Sequence, residues 1–401
     1  MSTAPACQDT AATLQYVQFN ASGFADAGEG RTAFVSRALA QPAEVEALLE
    51  TAREAEMMDE LDSVDGKPAH EMYLRQYGVD LHPVVSRLTS LLHRVARTAN
   101  DQYGCTACTA CNVLLRRYRP AERRGIPPHN DRNAFVTAVA QLNPDEFAGG
   151  LYLQRTARAA SREYFAVPAS DVIFHKYDLR HGVDVFEGSR YSAVFWMKDR
   201  RLCGSYASPW FLQDAVLGNA HAQEALSELY AKGWHGHAAD MRAAIKWGTL
   251  AAEQGHAAAQ SRLGRLYLMG TEGVPKDAAL GRWWVQKAAD QGFTEAEYVM
   301  GLMSAGAGEW HAAARWFQPA AQAGHAAAQH KYGLLLCNGD GVPMDRESGA
   351  EWLERAAEQG HAEAERDLTQ LRGMSRIRRH NSNHQEITPT SKIVDAGSII
   401  T

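Results

Sequence analysis

The stretch His181-Gly182-Val183-Asp184-Val185-Phe186-Glu187-Gly188-Ser189-Arg190-Tyr191-Ser192 reads as two short strands joined by a turn. Val183–Phe186 and Arg190–Met197 are rich in β-branched and aromatic residues, and Glu187-Gly188-Ser189 breaks the run between them. Upstream lie further strand candidates: Asn112–Tyr118, Ala134–Leu142, Gly150–Gln154, Tyr164–Val167 and Asp171–Phe174. Two helix candidates come before these. Ala43–Ala55 sets Val45, Leu48 and Leu49 on one face, and Pro83–Ala99 does the same with Val85, Leu88, Leu91, Leu92 and Val95. Helices leading into seven or more antiparallel strands predict a helix-backed jelly roll over residues 33–210.

The chain has 401 residues, a formal charge of −6, 45% hydrophobic and 22% charged residues. That length suggests two or three domains, and the composition is ordinary for a soluble globular protein. The mild acidity argues against nucleic acid or a membrane surface as partner, since both select basic chains. No run of about 18 apolar residues is present, so no transmembrane helix is expected. Residues 1–30 lack a basic start followed by an apolar stretch, so no secretory signal is expected. Six cysteines in this length do not suggest a disulfide framework, and a reducing cytoplasm is the simplest compartment.

The first chemical signal is His129-Asn130-Asp131, which alone is weak, a surface-loop pair after Pro127-Pro128 being the bland alternative. Its context sharpens it. On a strand, alternate residues share a face, so His129 and Asp131 reach the same point. His181 follows 50 residues after Asp131 on a later strand, while His175, six residues earlier, is a rival with a poorer spacing to Arg190. Two imidazoles and one carboxylate hold one face of an octahedral ion and leave the other open, the facial triad of non-haem Fe(II) oxygenases. Nine residues past His181 come Arg190 and then Ser192, on one strand face. A guanidinium grips a carboxylate bidentately and the hydroxyl adds a donor, so this strand carries a site for a small dicarboxylate.

The order His-Xaa-Asp, distal His, Arg-Xaa-Ser resembles the Fe(II)- and 2-oxoglutarate-dependent dioxygenases, and most closely their prolyl 4-hydroxylase-like branch. The resemblance spans about Val35 to Trp210. It implies a double-stranded β-helix with Fe(II) on His129, Asp131 and His181. It also implies 2-oxoglutarate as cosubstrate, its distal carboxylate on Arg190 and Ser192, and O2 as oxidant. Tyr118, eleven residues before His129, matches a tyrosine that often supports the cosubstrate in this branch, although an aromatic on a strand is also ordinary core. The implied chemistry couples decarboxylation of 2-oxoglutarate to succinate with hydroxylation. Related halogenases replace the carboxylate ligand with a small residue, so Asp131 favours hydroxylation.

The second half repeats itself. Ala252-Glu253-Gln254-Gly255, Ala289-Asp290-Gln291-Gly292, Ala321-Gln322-Ala323-Gly324 and Ala357-Glu358-Gln359-Gly360 recur at spacings of 37, 32 and 36. Trp247, Trp284, Trp316 and Trp352 each sit eight residues before the glycine. Such a period means stacked helix–turn–helix units. Asp277 and Asp345 close Gly-Val-Pro loops where they would cap the next helix. His256, His325 and His361 each follow a repeat glycine, which marks them as structural. These residues resemble Sel-1-like repeats, relatives of tetratricopeptide repeats, over about Ala215 to Leu371. The third repeat is shorter and lacks the Gly-Val-Pro loop. The expected layout is a weakly ordered segment 1–32, an oxygenase domain 33–210, an all-α repeat solenoid 211–372 and a disordered tail 373–401.

Other signals are weaker. Cys105, Cys108 and Cys111 mimic part of a metal-cluster pattern but read better as small buried residues entering a strand. Arg116, Arg117, Arg119, Arg123 and Arg124, with Arg155, Arg158 and Arg162, form either a solvated rim or a steering patch for an anionic substrate. The favoured reading is a hydroxylase of a protein or peptide side chain whose partner is recruited by the repeats. Hydroxylation of a free amino acid or other small molecule, with the repeats serving assembly, is the alternative. A repeat adaptor with an inactive oxygenase domain is the reading from another class.

Overall fold

A computed structural model describes residues 15–22, 24–26, 32–55, 66, 68–105, 107–119, 122–154, 162–205, 207–234, 237–270 and 273–381. These divide into two compact units, one reaching Trp210 and the other starting at Phe211.

The first unit is built on two sheets. Its strands are β1 (Gln15–Tyr16), β2 (Phe24–Asp26), β3 (Thr32–Ser36), β4 (Glu71–Gln76), β5 (Val79–Asp80), β6 (Cys108–Tyr118) and β7 (Gly125–His129), followed by β8 (Val136–Gln141), β9 (Phe147–Gln154), β10 (Arg162–Tyr164), β11 (Val172–Lys176), β12 (His181–Gly188) and β13 (Arg190–Asp199). One sheet runs β1-β10-β9-β12-β7 and the other β2-β3-β11-β8-β13-β6-β4-β5. Apart from the short β1–β10 pair, the pairings are antiparallel.

Alternation along the strands explains the layers. In β6, Leu114 and Tyr118 face the other sheet, with Val139 of β8 and Val194 of β13. They meet Ile126, Leu151, Leu153, Val183 and Val185 from β7, β9 and β12. The intervening Val113, Leu115, Ala138, Ala140, Ala193 and Phe195 point the other way, onto helices α1 (Pro42–Glu54) and α2 (Thr89–Tyr103). The unit is a helix-backed jelly roll, a double-stranded β-helix, as the strand pattern predicted.

Details differ from the sequence reading. Residues 15–26 fall in the segment expected to be weakly ordered, yet β1 pairs β10, β2 pairs β3, and Val17 and Ala25 are buried. Such short strands carry no periodic signal of their own, and their partners define them. The second helix candidate splits into a 3₁₀ turn at Pro83–Leu88 and α2. Strands β4 and β7 were not among the candidates. The cysteines also depart from expectation, because Cys105 pairs with Cys108 and Cys111 with Cys203. Disulfides persist in oxidising compartments, so the cysteine count no longer argues for a reducing one. Cys337 is buried and free, and Cys7 lies outside the described residues.

After α3 (Pro209–Val216), the second unit is a helical array: α4 (Ala220–Lys232), α5 (Met241–Glu253), α6 (Ala257–Met269), α7 (Ala278–Asp290), α8 (Thr294–Gly306), α9 (Trp310–Gln322), α10 (Ala326–Asn338), α11 (Arg346–Glu358) and α12 (Ala362–Asn381). Its caps follow the repeat. Asp277 and Asp345 accept from Leu280 N–H and Ser348 N–H, and His256, His325 and His361 accept from the backbone three residues on. The motif glutamines form a ladder. Gln254, Gln291 and Gln359 each donate at 2.7 Å to Gln223, Gln260 and Gln329 of the preceding repeat. The third repeat has Ala323 at that position, which breaks the ladder there. The expected tail is partly helix, because α12 runs on through helix-forming residues to Asn381, and residues 382–401 lie outside the described set.

Close helix approach depends on glycine. A Cβ on Gly301 would sit 2.4 Å from the buried ring of Phe317. Gly301→Ala should therefore lower the thermal midpoint of the array. Overpacking costs about 1–3 kcal/mol, which outweighs the roughly 1 kcal/mol that alanine gains over glycine in a helix. A stabilised variant in a calorimetric melt would contradict this packing.

Candidate metal centre and anion pocket

Register brings the first histidines together. In the β12–β7 pairing His181 lies opposite His129, and the ladder then shifts, with Val183 opposite Ile126. The extra residue falls at Pro127-Pro128, which have no N–H to offer a ladder. A sheet edge tolerates that, and β7 is an edge strand. Gly182 is equally constrained: a Cβ there would fall 2.4 Å from the Tyr152 hydroxyl and 2.6 Å from the Ile126 carbonyl.

Asp131 does not share a strand with His129, as the alternation argument assumed. The strand ends at His129, and Asp131 follows in the next turn. It still arrives at the same point. Its carboxylate lies 3.6 Å from His129 Nε2 and 3.5 Å from His181 Nε2, and the two rings are 4.5 Å apart. All three potential ligand atoms lie within 4.8 Å of one another.

The protons are placed for metal binding. His129 Nδ1–H donates to the Pro127 carbonyl at 2.9 Å, and His181 Nδ1–H donates to the Leu179 carbonyl at 3.1 Å. A carbonyl only accepts, so each ring presents an unprotonated Nε2 to Asp131. Burial holds His181 well below the usual imidazole range, which keeps it neutral. Burial alone would raise Asp131, but any positive charge on His181 or His129 pulls it down further, and the carboxyl sits well below its usual range and is ionised. Thr137 Oγ1–H donates to Asp131 at 2.8 Å and fixes its rotamer.

The β13–β6 register sets Arg190 opposite Tyr118. Both are about 1% exposed, and the guanidinium stands 5.4 Å from the tyrosine ring centroid. Arg190 Nη1–H donates to Ser192 Oγ at 3.0 Å, whereas Nε and Nη2 are buried with no hydrogen-bond partner among the described residues. Burial pushes this guanidinium down to about 10. A buried cation with two unused donors is an expensive arrangement unless an anion completes it. Arg190, Ser192, Tyr118 and the His129, Asp131, His181 cluster line one cavity of about 30 Å³.

All six residues singled out from the sequence thus converge. His175 is fully buried against His181, with ring centroids 4.3 Å apart, and its Nδ1–H donates to the Lys176 carbonyl. It does not belong to the ligand cluster. Most of the arginine cluster is engaged in pairs: Arg116 pairs with Glu71, Arg117 and Arg119 pair with Glu122, and Arg123 donates to the Pro68 and Gly125 carbonyls, while Arg124 is exposed. Arg162 pairs with Asp184, and Arg155 and Arg158 lie outside the described residues. Thr137 and Trp196, both on the cavity wall, were missed. A lone threonine within the apolar run Val136–Ala140 was the available signal for the first. Nothing in the sequence marked the second.

Fold and site together define a double-stranded β-helix that holds a two-histidine, one-carboxylate cluster in the same cavity as the buried Arg190, followed by a helical repeat array. Residues 220–256, 257–293, 311–325 and 326–361 match the family model described as Sel1 repeat, and the array is made of these repeats. A Sel1 repeat protein from Oxalobacter formigenes is 35% identical over 40% of this chain and 47% of its own, with a TM-score of 0.38. The chain thus spans about half the length of that protein. An oxidoreductase of the 2OG-Fe(II) oxygenase family from Burkholderia pseudomallei is 17% identical, covering 41% of this chain and 85% of that one, with a TM-score of 0.33. A prolyl-4-hydroxylase from Pseudomonas putida is 14% identical, covering 42% and 92%, with a TM-score of 0.33. No curated protein matches the chain.

Asp131→Ala should weaken binding of a divalent transition ion at this cluster by more than about 100-fold, since loss of an outer partner alone costs 10–100-fold. The circular-dichroism spectrum should be unchanged, because an open site contributes little to folding. Equal metal affinity in a titration monitored by Co²⁺ absorption would remove Asp131 from the site.

Proposed function

We infer that the N-terminal unit is an Fe(II)- and 2-oxoglutarate-dependent dioxygenase that hydroxylates a protein or peptide side chain, its partner held by the repeats. One observation carries the reading: the buried, unneutralised Arg190 shares a cavity with a proton-ordered His129, Asp131, His181 cluster. The donor set suits Fe(II), with two neutral imidazoles and one carboxylate. The unused Nε and Nη2 of Arg190 suit a carboxylate gripped bidentately. With Fe(II), 2-oxoglutarate and O2 bound, the site would gain the oxidising power for hydroxylation, giving succinate and CO2.

The chain's own residues then have distinct tasks. His129 and His181 are oriented by the Pro127 and Leu179 carbonyls, and Asp131 by Thr137. Arg190 and Ser192 hold the far carboxylate of the cosubstrate, with the Tyr118 ring against the guanidinium. Val139, Leu151, Val183 and Val194 make the walls apolar and keep water from the reacting groups. The cavity of about 30 Å³ is too small for a five-carbon diacid as it stands, so its lining must yield when the cosubstrate enters. The repeat array supports a macromolecular substrate, because solenoids present extended surfaces suited to chains.

Arg190→Ala should raise the 2-oxoglutarate requirement by roughly 30- to several-thousand-fold, equivalent to about 2–5 kcal/mol, and leave metal binding intact. Lysine should rescue only in part, lacking the planar fork. Succinate release with unaltered 2-oxoglutarate dependence would sink the cosubstrate assignment. The substrate class has its own test. Proteins retained by the full chain, incubated with Fe(II) and 2-oxoglutarate, should gain 16 Da only when Asp131 is intact. A gain on free amino acids and on no retained protein would favour the small-molecule reading.

A further inference from the structure

The array contains a second cluster of potential metal ligands, made by α10 and α12. His330, His361 and Glu363 each bring one ligand atom within 4.8 Å of the others. His330 is 2% exposed and its ring centroid lies 4.8 Å from that of His361.

The protons decide what this cluster lacks. His330 Nε2 lies 2.7 Å from Asp367 Oδ2. An ionised carboxylate only accepts, so Nε2 carries the hydrogen. In the neutral ring Nδ1 is then a bare lone pair. It is buried, has no hydrogen-bond partner among the described residues, and faces Glu363 Oε2 at 3.7 Å. Burial lowers the His330 pKa, which favours that neutral ring. A lone pair turned toward a carboxylate is repulsive unless a cation lies between them. The Asp367–His330 pair is also the outer support that metal-binding histidines usually have.

His361 departs from its counterparts in the array. The cap histidines His256 and His325 turn Nε2 to a residue of the preceding repeat, His221 at 2.9 Å and Glu295 at 3.1 Å. The equivalent position before His361, two residues past the His325 cap, is Ala327. His361 instead lies against His330 and beside Glu363. Lys331 is a cation whose charge acts on both Glu363 and Asp367, and burial lowers its pKa.

We propose that His330 Nδ1, His361 and Glu363 bind a divalent transition ion of the Zn²⁺ class, with Asp367 as the orienting carboxylate. Two imidazoles and a carboxylate suit Zn²⁺ far better than Ca²⁺ or Mg²⁺, which take oxygen ligands. Donor atoms of one tetrahedral ion stand about 3.3 Å apart, given bonds of about 2.0–2.1 Å. The contraction falls to the half-buried His361 and to Glu363, whose side chain is 53% exposed. Ligation through His361 Nε2 moves that ring's proton to Nδ1 and releases the Ala364 N–H. That bond is long, at 3.3 Å, so little is lost. Three protein ligands leave one position for water. The ion would tie the N-terminal turn of α12 to α10 and so fix the end of the array.

The test is equilibrium dialysis of the full chain against Zn²⁺ after chelator treatment, beside His361→Asn and Glu363→Gln. Asparagine keeps the helix cap while removing the imidazole, and Glu363 is exposed enough to be changed without unfolding. The intact chain should bind one equivalent more than either variant, whatever the N-terminal cluster binds. Asp367→Asn should weaken that equivalent by about 10–100-fold. His325→Asn, at the matching cap, should leave it unchanged. The same number of equivalents at the same affinity in all of these chains would overturn the proposal and leave a proton as the occupant of His330 Nδ1.

Discussion

Everything at the candidate centre hangs on one register: His181 of β12 opposite His129 of β7. A slip of one residue in either strand would turn its imidazole out of the cavity, because side chains alternate across a sheet. Several unusual residues serve this pairing. Pro127-Pro128 absorb the bulge on an edge strand, and Gly182 leaves room for Tyr152 and the Ile126 carbonyl. The carbonyls of Pro127 and Leu179 then set the tautomers. The bulge that distorts β7 also supplies one of the carbonyls that orient its histidine. Local irregularity and chemical readiness are here the same feature.

The neighbouring register, Arg190 opposite Tyr118, acts on the second half of the site. It buries a guanidinium beneath an aromatic ring and leaves two of its donors unused. Natural cores seldom leave such groups unsatisfied without a functional reason. The arginines upstream behave in the opposite way. Arg116, Arg117 and Arg123 are spent on Glu71, Glu122 and backbone carbonyls. Arg190 is therefore distinguished by two buried donors with no partner among the described residues and not by position in a basic patch.

The array obeys a different logic, in which each repeat satisfies its neighbour. Cap residues, the glutamine ladder and glycine contacts recur with the period of the sequence. Interruptions are then informative. Ala323 ends the ladder, and Ala327 deprives His361 of the partner that the other cap histidines have. The same kind of reasoning applies in both units, since a polar atom with its proton assigned and no partner points to what is missing.

Much of this was legible from residues alone. The repeat period, the capping aspartates, the jelly-roll pattern and five of the converging residues follow from spacing and chemistry, because periodicity and motif order are properties of the chain itself; Tyr118 came only from the resemblance. What the sequence hid were features created by a distant partner. Strands β1 and β2 exist only because β10 and β3 pair with them, and β7 was unreadable because two prolines mask a strand that only its edge position permits. Cys111 and Cys203 lie 92 positions apart and meet only through the fold. The pairing of the arginines, the proton on each imidazole and the solitude of His330 Nδ1 were likewise decided in space. Residue type determines which groups can donate or accept. Only tertiary structure determines which of them face one another after water has been excluded, and that decides which are satisfied and which await a ligand.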